Sequence, residues 1–292
     1  MHEKEGIKNK SYSFWYYGWK SFKKNKLAMI ALIFLTILFL LAIFFPIFSP
    51  SHYDDQFYLE KAYSFPDDEN WFGVDAVGRD CFTRVIYGAR VSLGIGLTSA
   101  LASVLIGVPL GALAGYKGGK VDWFIMRIIE VMSVIPPVLV GIVIATVTGG
   151  GILNIVFICA VFYWVGIARL VRGQIMSLKN EEYVKAAISF GASSWFILKK
   201  HLIPNTISQI IVGLVLTLPS AIMMEASLSF LGLGVQTPLP SWGQMISNGL
   251  YYIFYYWHLP FFPALMLSLT ILSVSLVADG LRDALDPHLR RG

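Results

Sequence analysis

Charge is missing from this chain in blocks rather than diluted along it, and that property restricts what it can fold into. Leu27–Phe48 contains no Asp, Glu, Lys or Arg, and neither do Val91–Tyr116, Val131–Val147, Ile152–Ala168, Thr206–Met224 and Leu259–Ala278. A helix needs about 20 apolar residues to cross the hydrocarbon core of a bilayer. The six blocks therefore predict an all-α polytopic membrane protein with six transmembrane helices. The third and fourth blocks are short, and Thr148-Gly149-Gly150-Gly151 between them predicts a tight turn joining neighbouring helices. The first block, 22 residues long, exceeds the roughly 7–15 apolar residues of a cleavable signal. Phe48-Ser49-Pro50 also lacks the small residues of a cleavage site, so this segment is read as a retained helix. Only 14% of the residues are charged, against about a quarter in soluble domains. There is too little polar surface for a water-soluble fold.

The net charge of +5 does not mark a nucleic-acid binder, because the Lys and Arg residues follow the topology instead. With the N-terminus inside, residues 1–26, 116–127, 169–205 and the tail after Ala278 hold 19 of the 23 basic residues. The remaining four lie between Ser49 and Arg90, and Gly232–His258 has none. Basic residues stay on the cytoplasmic side, which places both termini inside. The expected division is a cytoplasmic segment 1–26, a first transmembrane helix 27–48, an extracytoplasmic loop 49–90, a permease core 91–283 containing a cytoplasmic loop 169–205, and a cytoplasmic tail 284–292. Two aromatic clusters, Trp15–Trp19 and Tyr251–Trp257, fall at opposite interfaces. Trp15–Lys26 is expected to lie along the inner surface.

Individual spans carry further signals. Gly107, Gly111 and Gly115 recur every four residues and line one helix face, which predicts close helix packing within this chain or against a sister subunit. Pro136-Pro137 and Gly141 predict a kink or break in the third span, and Pro219 marks the fifth. Broken helices are tolerated where they are buried or line a cavity, so these two spans are candidates for a pathway. Cys81 and Cys159 fit neither a metal site nor a disulfide framework and read as small packing residues. No phosphate-binding loop occurs: near Gly119-Lys120, Ala114 stands where the first glycine is needed and Val121 where Ser or Thr is needed. HExxH and GxSxG are absent too, which argues against an intramembrane enzyme. An ion-driven secondary transporter would show inverted repeats and paired midplane charges, and neither is visible.

The 37 residues from Arg169 to Asn205 are too many for a tight inner connection. Within them, Glu181 and Glu182 suit a helix N-terminus. Tyr183, Ala187 and Phe190 share one face at helical spacing, and Ala186, Ala187 and Gly191 allow close seating against another surface. Pro204-Asn205 closes the segment.

Ala186-Ala187, then Gly191 after three intervening residues, and Pro204 thirteen residues after the glycine resemble the EAA loop of ABC importer permeases. Lys185 stands where that motif has Glu, His201 where it has Ile, and Ile203 replaces the Leu before Pro204. Tyr183-Val184-x-Ala186-Ala187 and His201–Asn205 are instead similar to the dipeptide, oligopeptide and nickel branch. Trp71–Asp80, Arg84–Leu93 and Glu225–Gly243 resemble its C-type permease. The resemblance covers nearly all of the chain from Lys20 onward. It implies a type I ABC importer permease fold and a translocation function by alternating access. It also implies a homologous permease partner, two ATP-binding subunits that carry ATP and Mg, and an extracytoplasmic substrate-binding protein. This chain would hold no cofactor or metal of its own and would reside in the plasma (inner) membrane of a prokaryote. Glu182, Tyr183, Ala186, Ala187, Phe190, Gly191, His201, Pro204 and Asn205 become the expected ATPase-coupling residues. Peptides are the expected cargo, with nickel or a metal chelate as the alternative, and glutathione-like compounds also open.

Glu130, Ser133, Pro136, Met224 and Glu225 are the candidate pathway residues. A carboxylate at membrane depth is a functional candidate by default, yet Arg127 lies three residues before Glu130, at ion-pairing distance on a helix. Glu225 belongs near the outer end of its helix, where it either anchors the Leu231–Gly234 turn or meets substrate. The loop before the second span holds eight acidic residues against four basic ones. It is either a solvated loop or a surface for the binding protein.

Overall fold

The computed structural model describes residues 14–285, whose regular structure is helical apart from one isolated bridge between Val74 and Asp80. The N-terminal residues 1–13 and the tail 286–292, with the basic residues assigned to them, lie outside the described residues. A short helix α1 (Phe14–Phe22) leads to α2 (Lys26–Phe48), which Asn25 caps by accepting from the Ala28 amide at 3.1 Å. After the loop come α3 (Cys81–Lys117), α4 (Gly119–Val134), α5 (Pro137–Thr148) and α6 (Ile152–Leu178). The next connection holds α7 (Glu182–Ser189), α8 (Ser194–Ile197), a π-turn at Leu198–Leu202 and α9 (Ile203–Asn205). The chain ends in α10 (Ile207–Phe230), α11 (Trp242–Leu250) and α12 (His258–Leu285).

Five of these helices are long and apolar enough to cross a membrane, and the bent pair α4–α5 makes a sixth span if counted as one. The spans outrun the charge-free blocks that announced them. α3 starts at Cys81, ten residues before Val91, and α6 runs to Leu178 rather than Ala168. A lack of charge marks only the stretch facing hydrocarbon, whereas a helix continues as long as its backbone bonds and packing are satisfied. Arg84 and Arg172 find partners inside the protein and so extend their helices.

Pro136 acts as the sequence suggested. Ile135 and Pro136 are extended, Pro137 takes the first turn of α5, and α4 and α5 meet at 80°. Pro219, in contrast, lies inside an uninterrupted α10, so the expected break in the fifth span does not form. α5 has 12 residues, about 18 Å at 1.5 Å per residue, too short to cross alone.

The bundle is organised around α3, α6 and α10, whose Ile95, Ile158, Cys159, Ala221, Met224 and Leu228 share one buried cluster. The glycine stripe explains the tightest pair. A Cβ on Gly107 would sit 2.7 Å from the Trp164 carbonyl oxygen, one on Gly115 equally close to that of Arg172, and one on Gly111 would run into the Ala168 carbonyl. Trp164, Ala168 and Arg172 themselves recur every four residues along α6. The stripe is therefore consumed inside this chain. α4 flanks α6 through Ile125 and Ile129, while α2 and α12 pack together through Ala28, Ala31 and Val277, with Phe22 of α1 beside them. Cys81 and Cys159 are free and buried, as packing residues should be.

Candidate functional site

The long connection between α6 and α10 folds into a helical projection. Val184 holds it in place: it is fully buried against Ile175, Ile197, Leu198 and Leu202, with Ala187 and Ala192 packed beside it. α7 ends in a Schellman cap, with the Ala192 amide donating to the Ala187 carbonyl and the Gly191 amide to that of Ile188. Gly191 takes φ of +78°, and nothing lies within 4 Å of where its Cβ would be. Its glycine is required by the left-handed turn rather than by crowding in this chain.

The opposite face of α7 has no cover. Phe190 is 91% exposed, Ile188 52% and Tyr183 39%. Glu182 and Ala186 share this exposure, while Ala187 turns inward. The expected coupling residues thus split between a seat and an outward face. Tyr183, His201 and Asn205 meet at one edge: the Tyr183 and His201 rings are 6.2 Å apart, and the Asn205 amide donates to the His201 carbonyl at 2.6 Å. Burial raises the Tyr183 phenol above its ordinary pKa, the Glu181 carboxylate adds to the rise, and the Asn205 side chain opposes it. Pro204 is exposed and has no amide hydrogen to donate. The turn before it widens, with Ile203 donating back to the Leu198 carbonyl. Val184, the anchor, and the exposed Trp195 and Phe196 were not singled out from sequence. The pairing of Val184 with Ala187 at i, i+3 was the available signal.

The five candidate pathway residues have different surroundings. Glu130 pairs with Arg127 at 2.7 Å, and both side chains are more than half exposed. Ser133 donates to the Ile129 carbonyl and accepts from Arg169 of α6 at 2.5 Å, tying α4 to α6 just before the break at Pro136. Met224 and Glu225 are buried in α10, and Met224 belongs to the cluster against which Met132 and Ile135, just before the break, are packed. Glu225 accepts from Ser92 at 2.7 Å and from Ser229 at 2.8 Å, and the Ser229 hydroxyl accepts the Val235 amide. Of the two readings from sequence, the geometry is that of an anchor for the Leu231–Gly234 turn. A second clamp went unseen: Arg172 donates to both carboxylate oxygens of Asp122, 50 residues away, at 2.5 and 2.6 Å.

At the other end of α10, the stretches that resembled C-type permeases build a cap. Asp80 starts α3 by accepting the Thr83 amide at 2.7 Å, and Asp75 receives the Arg79 guanidinium at 2.7 Å. Arg84 is only 2% exposed. It donates through Nη1 to the Tyr53 carbonyl at 2.8 Å and towards that of Pro238 at 3.5 Å, with Asp75 3.6 Å from its Nε. Trp242, fully buried, donates to the Val85 carbonyl at 3.0 Å.

Comparison with known proteins agrees with this architecture. Residues 107–291 match the family described as binding-protein-dependent transport system inner membrane component, and residues 13–66 match the N-terminal transmembrane domain of oligopeptide transport permease C. The chain is 47% identical to the dipeptide transport system permease protein DppC of Bacillus subtilis (strain 168), over 99% of this chain and 90% of that one. It is 44% identical to the oligopeptide transport system permease protein OppC of the same organism, covering 98% and 94%. It is 38% identical to the glutathione transport system permease protein GsiD of Pectobacterium atrosepticum, covering 94% and 92%. In fold it is similar to a chain of the inward-facing MetNI methionine ABC transporter, with a TM-score of 0.55 over 70% of this chain and 96% of the other at 17% identity. An all-helical chain with five to six apolar spans, matched over most of its length, is a multi-pass transport component, and it belongs to the family of binding-protein-dependent inner-membrane permeases of the oligopeptide permease C type.

Proposed function

We propose that this chain is one of two permease subunits of an ATP-driven peptide importer, with α7 as the helix that docks on an ATP-binding subunit. A homologous permease completes the pathway, and two ATP-binding subunits carry ATP and Mg. A binding protein delivers substrate at the cap formed by residues 49–90. Both termini and the segment 169–205 lie in the cytoplasm, and the cap lies outside. The observation that carries the reading is the division of α7 into a buried seat at Val184 and an outward face with Phe190 91% exposed. An uncovered phenylalanine on a charged, non-spanning helix calls for a partner, and a groove on an ATP-binding subunit meets that need. Closure of the ATP-binding subunits would push α7, and the push would reach α6 and α10 through the Val184 cluster.

Peptides are favoured over nickel because the relatives at 47% and 44% identity are dipeptide and oligopeptide permeases. Among the described residues, no group of three or more His, Cys, Asp or Glu is placed to hold a metal ion. The test is reconstitution with the operon's second permease, ATP-binding subunits and binding protein in vesicles. Uptake of a labelled dipeptide should require ATP and all partners, and the isolated chain should hydrolyse none. Uptake by this chain alone without ATP, or hydrolysis by it, would refute the assignment.

A further inference from the structure

Two cavities at the cap end adjoin one another and share Asn248 and Tyr251 in their walls. They lie beyond the C-terminus of α10, whose 24 residues separate them from α7 by about 36 Å at 1.5 Å per residue. The first has a volume of about 240 Å³, and its charged lining consists of Arg79, Arg84 and Asp75. Two guanidiniums and one carboxylate line it, and Asp54, 3.6 Å from Arg79, adds a second carboxylate beside the lining. Arg84 is the informative member. Its Nη1 and Nε face Tyr53, Pro238 and Asp75, while its Nη2 takes no partner among the described residues. That amino group is not among the buried polar atoms left without a partner, so it opens onto the cavity, where water or an anionic ligand can accept from it. The second cavity, about 700 Å³, is walled by Phe230, Leu231 and Leu250 and is largely apolar. Asn248, at the junction, is exposed and its amide takes no partner among the described residues.

We infer that these joined cavities form a receiving site for the C-terminal end of a short peptide. The free carboxylate sits in the Arg84 lobe, an apolar side chain in the Phe230–Leu250 lobe, and the peptide backbone against the Asn248 amide. This rests on the peptide reading above and deepens it. The complementarity is threefold and in one order: an anion hole, a donor and acceptor for an amide, then an apolar wall. A carboxylate fits the fork geometry of arginine. The first lobe falls below the roughly 300–1,000 Å³ of sites that enclose a whole drug-sized ligand, which suits a chain end. Other anions, including lipid headgroups, would satisfy Arg84 but leave the amide and apolar walls unused.

The experiment uses the complete transporter in nanodiscs, without binding protein, titrated with Ala-Phe and with its C-terminal amide while intrinsic fluorescence or saturation-transfer NMR is recorded. Ala-Phe should bind saturably, and the amide about 10- to 100-fold more weakly, the range for losing a hydrogen bond to a charged group. Arg84→Ala could unseat the cap, so the decisive variant is Asn248→Ala, an exposed side chain with no partner to lose. It should weaken Ala-Phe binding several-fold while leaving the melting temperature and binding-protein docking unchanged. Equal affinity for acid and amide, no saturable binding, displacement of the peptide by anionic lipid, or an Asn248→Ala defect confined to binding-protein docking would each overturn the inference. Peptide uptake by the full system measured alongside separates the two readings. Uptake without direct binding sinks only this site, whereas no peptide uptake sinks the substrate assignment itself.

Discussion

Phe190→Ala separates the docking proposed for α7 from the stability of this chain. The side chain is 91% exposed, so almost none of its apolar surface is buried in the free subunit. Removing it should change that subunit's stability by no more than about 0.5 kcal/mol, as for other exposed positions. If the ring enters a groove on an ATP-binding subunit, nearly its whole burial free energy belongs to the complex. That amounts to about 1.5–3 kcal/mol for a phenylalanine, or a roughly 10- to 100-fold weaker association at 1.4 kcal/mol per factor of ten. The assay is affinity of purified ATP-binding subunit for the permease pair in nanodiscs, together with substrate-stimulated ATP hydrolysis in the reconstituted system. Hydrolysis and uptake should fall together. Val184→Ala provides the contrast, because Val184 is fully buried beneath α7. Loss of its methyl groups should destabilise the subunit itself by about 1–3 kcal/mol. The reasoning fails if Phe190→Ala binds the ATP-binding subunit with unchanged affinity, or if it lowers the melting temperature as much as Val184→Ala.

Three further outcomes follow from particular positions. Gly191→Leu should weaken coupling because φ of +78° costs a side chain about 1–2 kcal/mol. Gly191→Asn should retain more activity, since asparagine tolerates that turn, and equal uptake rates for the two variants would point to bulk rather than conformation. Gly111→Val should lower the detergent melting temperature, because its side chain meets the Ala168 carbonyl of α6. Overpacking of this kind typically costs about 1–3 kcal/mol, and Gly166→Ala, with open space at its Cβ, is the control. Cysteine labels at Lys10, Lys179 and Arg291 should react only from the cytoplasmic side, and labels at Asp67 and Gln236 only from outside. One label on the wrong side would overturn the topology drawn from the basic residues.

The sequence alone determined the features that depend on neighbours along the chain. Charge-free blocks announced the membrane-spanning helices, because hydrocarbon rejects charge wherever the helix packs. Pro136-Pro137 announced the break between α4 and α5, because a missing amide hydrogen acts locally. The three-residue spacing of Arg127 and Glu130 announced their ion pair, now found at 2.7 Å. The helix at 182–189 was legible in the sequence, yet the division of its faces was not. Only the fold shows that Val184 and Ala187 turn inward and Phe190 outward, since that depends on where Ile197 and Leu202 come to lie. Pro219 looked like a break and is none, because a packed helix can absorb one missing hydrogen bond. The glycine stripe revealed a close contact but could not say with what, and tertiary structure assigned it to α6. Arg84 with Pro238 and Glu225 with Ser92 are separated by 154 and 133 residues. Periodicity and capping act within a turn or two of helix, whereas such distant partners meet only once several helices have packed together.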